Sequence, residues 1–150
     1  MADRRTPCER YEAIGRELVG SEACLAHIDM SEARIAYLSS DAKKRSKGRP
    51  VLGQCEKVPE KYQWAMPYDF TITVFEPNVL LLDEGQLRTL LLHELLHVGV
   101  EWDDDGVERY RIVGHDFEDF REVVGRFGAD WQRYRGNGAQ AEDAPAGAEG

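Results

Sequence analysis

The chain has 150 residues, of which 42% are hydrophobic and 31% charged, and its formal net charge is −9. That length holds one domain with a real core and hardly two, and the balance is that of an ordinary soluble globular protein. The acidic excess argues against nucleic-acid binding by broad phosphate neutralisation.

The first residues are polar, and residues 1–6 are expected to be disordered. No apolar segment follows MADRRTPCER, so no signal peptide is visible. Thr6-Pro7-Cys8-Glu9 reads as a capping box with proline at the first helical position. Tyr11, Ile14 and Leu18 follow at helical spacing, with Gly20 as the stop. A further turn or two runs through Cys24, Leu25 and Ile28, and His27 there reads as an ordinary surface or core histidine. The cysteines, Cys8, Cys24 and Cys55, are odd in number and widely spaced. That fits reduced thiols in a cytosolic protein better than a disulfide framework or a zinc ribbon.

Ala33 to Leu38 reads as a strand, and Val51 to Val58 as its hairpin partner across a long basic loop containing Lys43, Lys44, Arg45, Lys47 and Arg49. Gly53 inside the second strand marks a bulge or a close approach by another backbone. In Asp69 to Phe75, Phe70, Ile72 and Val74 alternate with Thr71 and Thr73, the pattern of a half-buried strand. Asp83 to Gln86 forms another capping box in front of a helix carrying LRTLLLHELLHVGV, Leu87 to Val100. That run is too short and too interrupted by charge to span a bilayer. A turn over EWDDDG leads to a short strand, Val107 to Val113. A last helix carries Phe117, Phe120, Val124 and Phe127, and residues 136–150 lack core-forming side chains and read as a disordered tail. Residues 7–135 are thus expected to form one domain.

Ionisable groups are costly to bury unless paired or bound to metal, so His93, Glu94 and His97 in an apolar helix need a reason. Helical geometry sets His97 about 40° and Glu94 about 100° from His93, on one stripe, while Leu91, Leu95 and Val98 point into the core. Two imidazoles one turn apart converge on one zinc ion, and the neighbouring carboxylate sits beside it, placed to take a proton from an activated water. A purely structural zinc normally closes with a fourth protein ligand, often Cys, and no cysteine follows Cys55. For the third ligand, metzincin spacing points to Asp103, but that pattern needs glycine where Val100 stands and a downstream methionine turn. A glutamate from the following helix would be Glu118. His115, where a strand turns into a helix, is the better choice.

HELLH followed by GHDFEDF resembles the SprT-like minimal zincins. LGQCEKVPEKYQW…YDFTITV leading into LLHELLHV is more similar still to the metallopeptidase domain of bacteriophage and prophage proteins. The resemblance spans about Ala33 to Phe127. It implies an α+β, minimal zincin-like fold: a small mixed or antiparallel sheet of three to four strands packed on the HExxH helix, with flanking N- and C-terminal helices. It also implies a zinc-dependent peptidase with one ion held by His93, His97 and His115 and with Glu94 as general base. Against many SprT-like proteins, the chain lacks a C-terminal Cys-rich ribbon and a strong basic surface.

Tyr110 and Arg111 are the candidates for a second electrophile that stabilises the transition state, and the sequence does not choose between them. Glu101, one turn beyond His97, is a candidate to orient a ligand. An extended substrate is expected along Asp69 to Phe75, as an added strand. The expected partner is a protein or peptide substrate, with no clear nucleic-acid binding and no membrane, and the expected state is a cytoplasmic monomer. The rival reading is a metal-binding but non-cleaving interaction or anti-defence protein of phage or prophage origin. Intact Glu94 favours the enzyme, since a pure binder does not need the base.

Overall fold

The structure, a computed structural model, describes residues 2–28, 34–102 and 104–114. In chain order its elements are strand β1 (Arg5–Pro7), helix α1 (Glu9–Ser21), strand β2 (Ile35–Ser40), two short strands β3 (Arg45–Ser46) and β4 (Arg49–Pro50), strands β5 (Gly53–Lys57) and β6 (Phe70–Phe75), helix α2 (Glu84–Leu95), and strands β7 (Val98–Trp102) and β8 (Glu108–Ile112). The expected α+β class is what it shows, with a small mixed sheet and two helices among the described residues. The C-terminal helix and the tail expected from the sequence lie outside them.

The main sheet runs β1-β2-β6-β5. β1 is antiparallel to β2, β2 is parallel to β6 with Ile35 opposite Phe70, and β5 is antiparallel to β6 with Gly53 opposite Val74. The hairpin expected between β2 and β5 is therefore not formed, because β6 lies between them. Burial explains the order. All six residues of β6 are buried, whereas β5 carries Gln54, Glu56 and Lys57 and takes an edge. Thr71 and Thr73 are buried too, so β6 is not the half-exposed strand its alternation suggested. The face they share with Phe75 is covered by polar side chains. Arg5 Nη1 donates to Thr73 Oγ1 at 3.2 Å and to Glu56 Oε1 at 2.9 Å. The Phe75 ring has the Arg5 guanidinium and the Lys44 ammonium each 5.5 Å from its centroid.

Two further boundaries differ from expectation. Arg5 and Thr6 are part of β1, and Thr6 caps nothing; its hydroxyl lies 3.3 Å from Ser39 Oγ, and α1 starts after Cys8. The basic stretch is not one long connection, since β3 and β4 close a tight hairpin with Lys47 and Gly48 at positive φ. Lys44 turns inward and donates to Gln54 Oε1 at 2.9 Å.

On the other face, Phe70, Ile72 and Val74 join Tyr11 and Leu18 of α1 and Leu87, Leu90, Leu91, Leu92 and Leu95 of α2 in one core. Each leucine so buried stabilises by roughly 2 kcal/mol. α2 is buried from Gln86 to Leu95 except at Arg88, which reaches Glu17 of α1 at 3.1 Å. Close packing of α1 on the sheet depends on Gly15, where a Cβ would stand 2.3 Å from Cε1 of Tyr37.

Candidate metal centre

The Asp83–Gln86 capping box forms as expected. The Asp83 side chain accepts from Gln86 N at 2.7 Å, and Gln86 Oε1 accepts from Asp83 N at 3.0 Å. It fixes the start of α2, and hence which residues arrive at the far end. That end comes earlier than the apolar run suggested. α2 stops at Leu95, and the His97 N–H donates to the Glu94 carbonyl at 3.1 Å in a tightened last turn. Val98, Gly99 and Val100, expected to continue the helix, begin β7 instead. Two β-branched residues around a glycine are poor helix formers, and pairing with β8 satisfies their backbone.

His93 and Glu94 are thus the last-turn residues of α2, and His97 stands in the turn that leaves it. His93 is 7% exposed and Glu94 4%. Each of the three side chains offers a ligand atom, and those atoms all lie within 4.8 Å of one another. His93 Nε2 is 4.0 Å from Glu94 Oε2, and the two imidazole rings meet edge to face with centroids 5.2 Å apart. Two buried groups and a half-buried one, gathered round one point, can hold a metal ion.

The β7–β8 hairpin sets His97. Val98 pairs with Ile112, so the next position of the register opposes His97 and Val113. Val113 N–H donates to the His97 carbonyl at 2.7 Å, and His97 Nδ1 donates to the Val113 carbonyl at 2.6 Å. A proton on Nδ1 puts the ring's lone pair on Nε2, the tautomer of a metal-ligating imidazole oriented from behind. Gly99 allows this closeness, because a Cβ there would meet Val113 Cγ2 at 2.7 Å and the Arg111 carbonyl at 3.1 Å. From the other side His27 Nε2 donates to the Val98 carbonyl at 2.7 Å, so the fourth histidine braces the chain just past His97.

Glu94 is set by β5. A Cβ on Gly53 would stand 3.1 Å from Glu94 Oε2 and 3.3 Å from its Cγ, so the strand lies directly against the carboxylate. The close approach expected at Gly53 is real, but a side chain makes it rather than a backbone. Burial first, then the Glu94 and Glu56 carboxylates, push the neighbouring Cys55 thiol well above its ordinary range, so it stays protonated.

Of the other candidates, Tyr110 pairs with Val100 and packs edge-on to Phe70, the centroids 5.7 Å apart. Arg111 pairs with Gly99 on the opposite face of the hairpin, where its Nε donates to Glu101 Oε1 at 2.5 Å. Glu101 therefore belongs to β7, not to a further turn of helix. His115, Asp103 and Glu118 lie outside the described residues. The sequence does not identify the Val113 carbonyl, His27 or the Gly53 contact as parts of the site. Only Gly53, a glycine inside a strand, carried a signal.

No helix among the described residues is long and apolar enough to cross a membrane. A model of the family described as "Putative phage metallopeptidase" matches residues 4–136. No curated protein and no solved structure matches the chain.

Proposed function

The chain belongs to the phage metallopeptidase family, and from that premise we propose that it is a zinc-dependent peptidase acting on protein or peptide substrates. The observation that carries this reading is the grouping of buried His93 and Glu94 with half-buried His97, whose ring is fixed by Val113. In the proposal one zinc ion is held by His93, His97 and His115. The donor set fits: two imidazoles converge, one with its tautomer set from behind. His115 follows Val113 by two residues, a span of at most ~7 Å, and Val113 is bonded directly to His97. When bound, the ion supplies Lewis acidity, acidifying a water and polarising a peptide carbonyl.

Glu94 is the general base. Its carboxylate takes a proton from the attacking water and passes it to the leaving amine. Burial and the contact with Gly53 limit the rotamers open to it, so the oxygen is aimed before substrate arrives. Tyr110 and Arg111 remain the candidates for a second electrophile. Because the hairpin puts them on opposite faces, a cleft on one face uses only one of them.

The substrate strand is reassigned to β5. β6 is central and paired on both sides, so it cannot accept another strand, whereas β5 is an edge. The Leu52 carbonyl accepts from the Phe75 N–H and the Val58 N–H donates to the carbonyl of Asp69, just before β6, so antiparallel alternation turns the backbone of Gly53, Cys55 and Lys57 outward. An extended peptide added there passes over Glu94. The same reading has the protein act as a cytoplasmic monomer.

The test pairs metal content with cleavage of an unfolded protein substrate. Glu94→Gln is expected to keep zinc and lose cleavage, and His115→Ala to lose much of the zinc. Full zinc occupancy in His115→Ala would sink that ligand assignment. Zinc without hydrolysis of any peptide by the wild type would favour a non-cleaving binder.

A further inference from the structure

A cavity of about 190 Å³ opens between α1, β2 and the residue before Asp69, and none of His93, Glu94 and His97 lines it. Arg16 and Arg34 stand at it with Tyr37 and Tyr68, and Ile28 and Ile35 supply apolar wall. Tyr37 is only 7% exposed, and its ring rests on the backbone of Gly15. Among the described residues its hydroxyl has no hydrogen-bond partner, yet no buried side-chain polar atom is left unsatisfied. The hydroxyl therefore reaches solvent, and the cavity is where it does so. A polar group of an otherwise buried side chain, aimed into a cavity, asks for a ligand atom.

The charges around it define that atom. Arg16 Nε is held by Glu12 at 2.9 Å, and Arg34 Nη2 contacts Asp69 Oδ1 at 3.5 Å and Gln63 Oε1 at 3.4 Å. Each guanidinium is thus positioned from outside the cavity and keeps further N–H donors, of which arginine has about five. Among the described residues no acidic side chain lines the cavity. Desolvation pushes the Tyr37 hydroxyl above its ordinary range, so it meets a ligand as a neutral donor. The volume equals roughly six waters' share of the liquid, enough for a carboxylate carried on one aromatic or branched apolar group.

We propose that this cavity is a second binding site, which takes a carboxylate attached to a compact apolar body, the acid group meeting Arg16, Arg34 and Tyr37. Planar guanidinium forks match a carboxylate's two oxygens, and the aliphatic and tyrosine walls take the apolar part. Two sources share this chemistry, a free arylalkanoic acid and the C-terminal residue of a peptide. The site is independent of the metal-centre reading and survives its failure.

The test titrates the full chain with 3-phenylpropionate, N-acetyl-phenylalanine and N-acetyl-phenylalaninamide, followed by calorimetry and by backbone amide shifts. At least one of the two acids is expected to saturate, with shifts concentrated at Ile35 to Leu38 and at Tyr68, and the neutral amide to bind at least tenfold more weakly. Tyr37→Phe removes only the hydroxyl and is expected to weaken acid binding about fivefold with an unchanged melting temperature. Arg34→Gln and Arg16→Gln are each expected to weaken it about tenfold. Tighter binding of 3-phenylpropionate assigns the free acid, and tighter binding of N-acetyl-phenylalanine assigns a peptide terminus; either upholds the site. Saturation by neither acid, equal affinity for acid and amide, or shifts confined to other residues would overturn it.

Discussion

His97 and Val113 are bonded to each other twice, backbone amide to carbonyl at 2.7 Å and imidazole to carbonyl at 2.6 Å. A residue in the turn after α2 is thereby tied to the far end of a hairpin, and both bonds end on main-chain atoms of Val113. Val113→Pro removes the N–H and with it the first bond. The Val113 carbonyl that receives the imidazole then loses its anchor, and zinc affinity is expected to fall up to about tenfold as the ring is held less firmly. A competition titration with a chromophoric chelator measures this. Unchanged affinity would show that the ring is held by something other than the hairpin.

Gly53→Ala tests the wall against which Glu94 rests. The new methyl would stand 3.1 Å from Glu94 Oε2 and 3.3 Å from Leu90 Cδ1, so the carboxylate has to shift by a few tenths of an ångström. Peptide hydrolysis is expected to drop about tenfold through kcat, with zinc retained and thermal stability changed by about 1 kcal/mol or less. A drop in zinc content of equal size would place the damage at the ligands instead.

Metal removal should destabilise the protein in proportion to ligand excess. Zinc at a hundredfold above its dissociation constant adds about 2.7 kcal/mol to the folded state. A chelator such as EDTA is therefore expected to lower the melting temperature by several degrees, and Glu94→Gln to show the same drop. A melting curve indifferent to chelator would argue against metal at this centre.

The Asp3–Arg5 contact gives a pH-dependent term in stability. Hydrogen bonds from Arg5, then from Ser40, hold the Asp3 carboxyl at about 2, below its ordinary 3.8. A depressed carboxylate pKa stabilises the folded chain above the unfolded value, and that contribution is lost as pH falls from 3.8 through about 2. Asp3→Asn is expected to melt lower than wild type at pH 7, with the difference shrinking below pH 4 and vanishing only below about 2. A difference constant with pH would mean that the charge is not the cause.

Gly15→Ala puts a methyl into the Tyr37 ring, whose nearest atom would be 2.3 Å away. Because both partners are backbone-anchored and well packed, the expected loss is about 1–3 kcal/mol, read from denaturant unfolding.

What the sequence made legible follows the range of the forces involved. The Asp83–Gln86 cap, the core positions Leu91, Leu95 and Val98, and the clustering of His93, Glu94 and His97 depend on residues a few positions apart, and all are found. Apolarity alone places the end of α2 too late, because leucine and valine score alike as apolar. What decides the boundary is the β-branching at Val98 and Val100 together with a partner strand ten residues downstream. The pairing of β2 with β6 instead of β5 is a long-range choice. It turns on which strand loses most water on both faces, and the threonines of β6 disguise that. Tyr37 gives no sign of its cavity, since the lining comes from four separate stretches of the chain.

The β7–β8 ladder is a two-stranded unit, and among the described residues no strand of the main sheet pairs with it. Opening it breaks no ladder of β6 and gives up side-chain packing such as that of Tyr110 on Phe70, so its amides should exchange with solvent deuterium before those of the central strand. Because that same ladder ends on His97, every such opening slackens one grip on the metal centre, and a bound ion should slow the hairpin's exchange in return. Deuterium uptake across Val98–Trp102, with and without zinc, becomes a reading of occupancy at the end of α2.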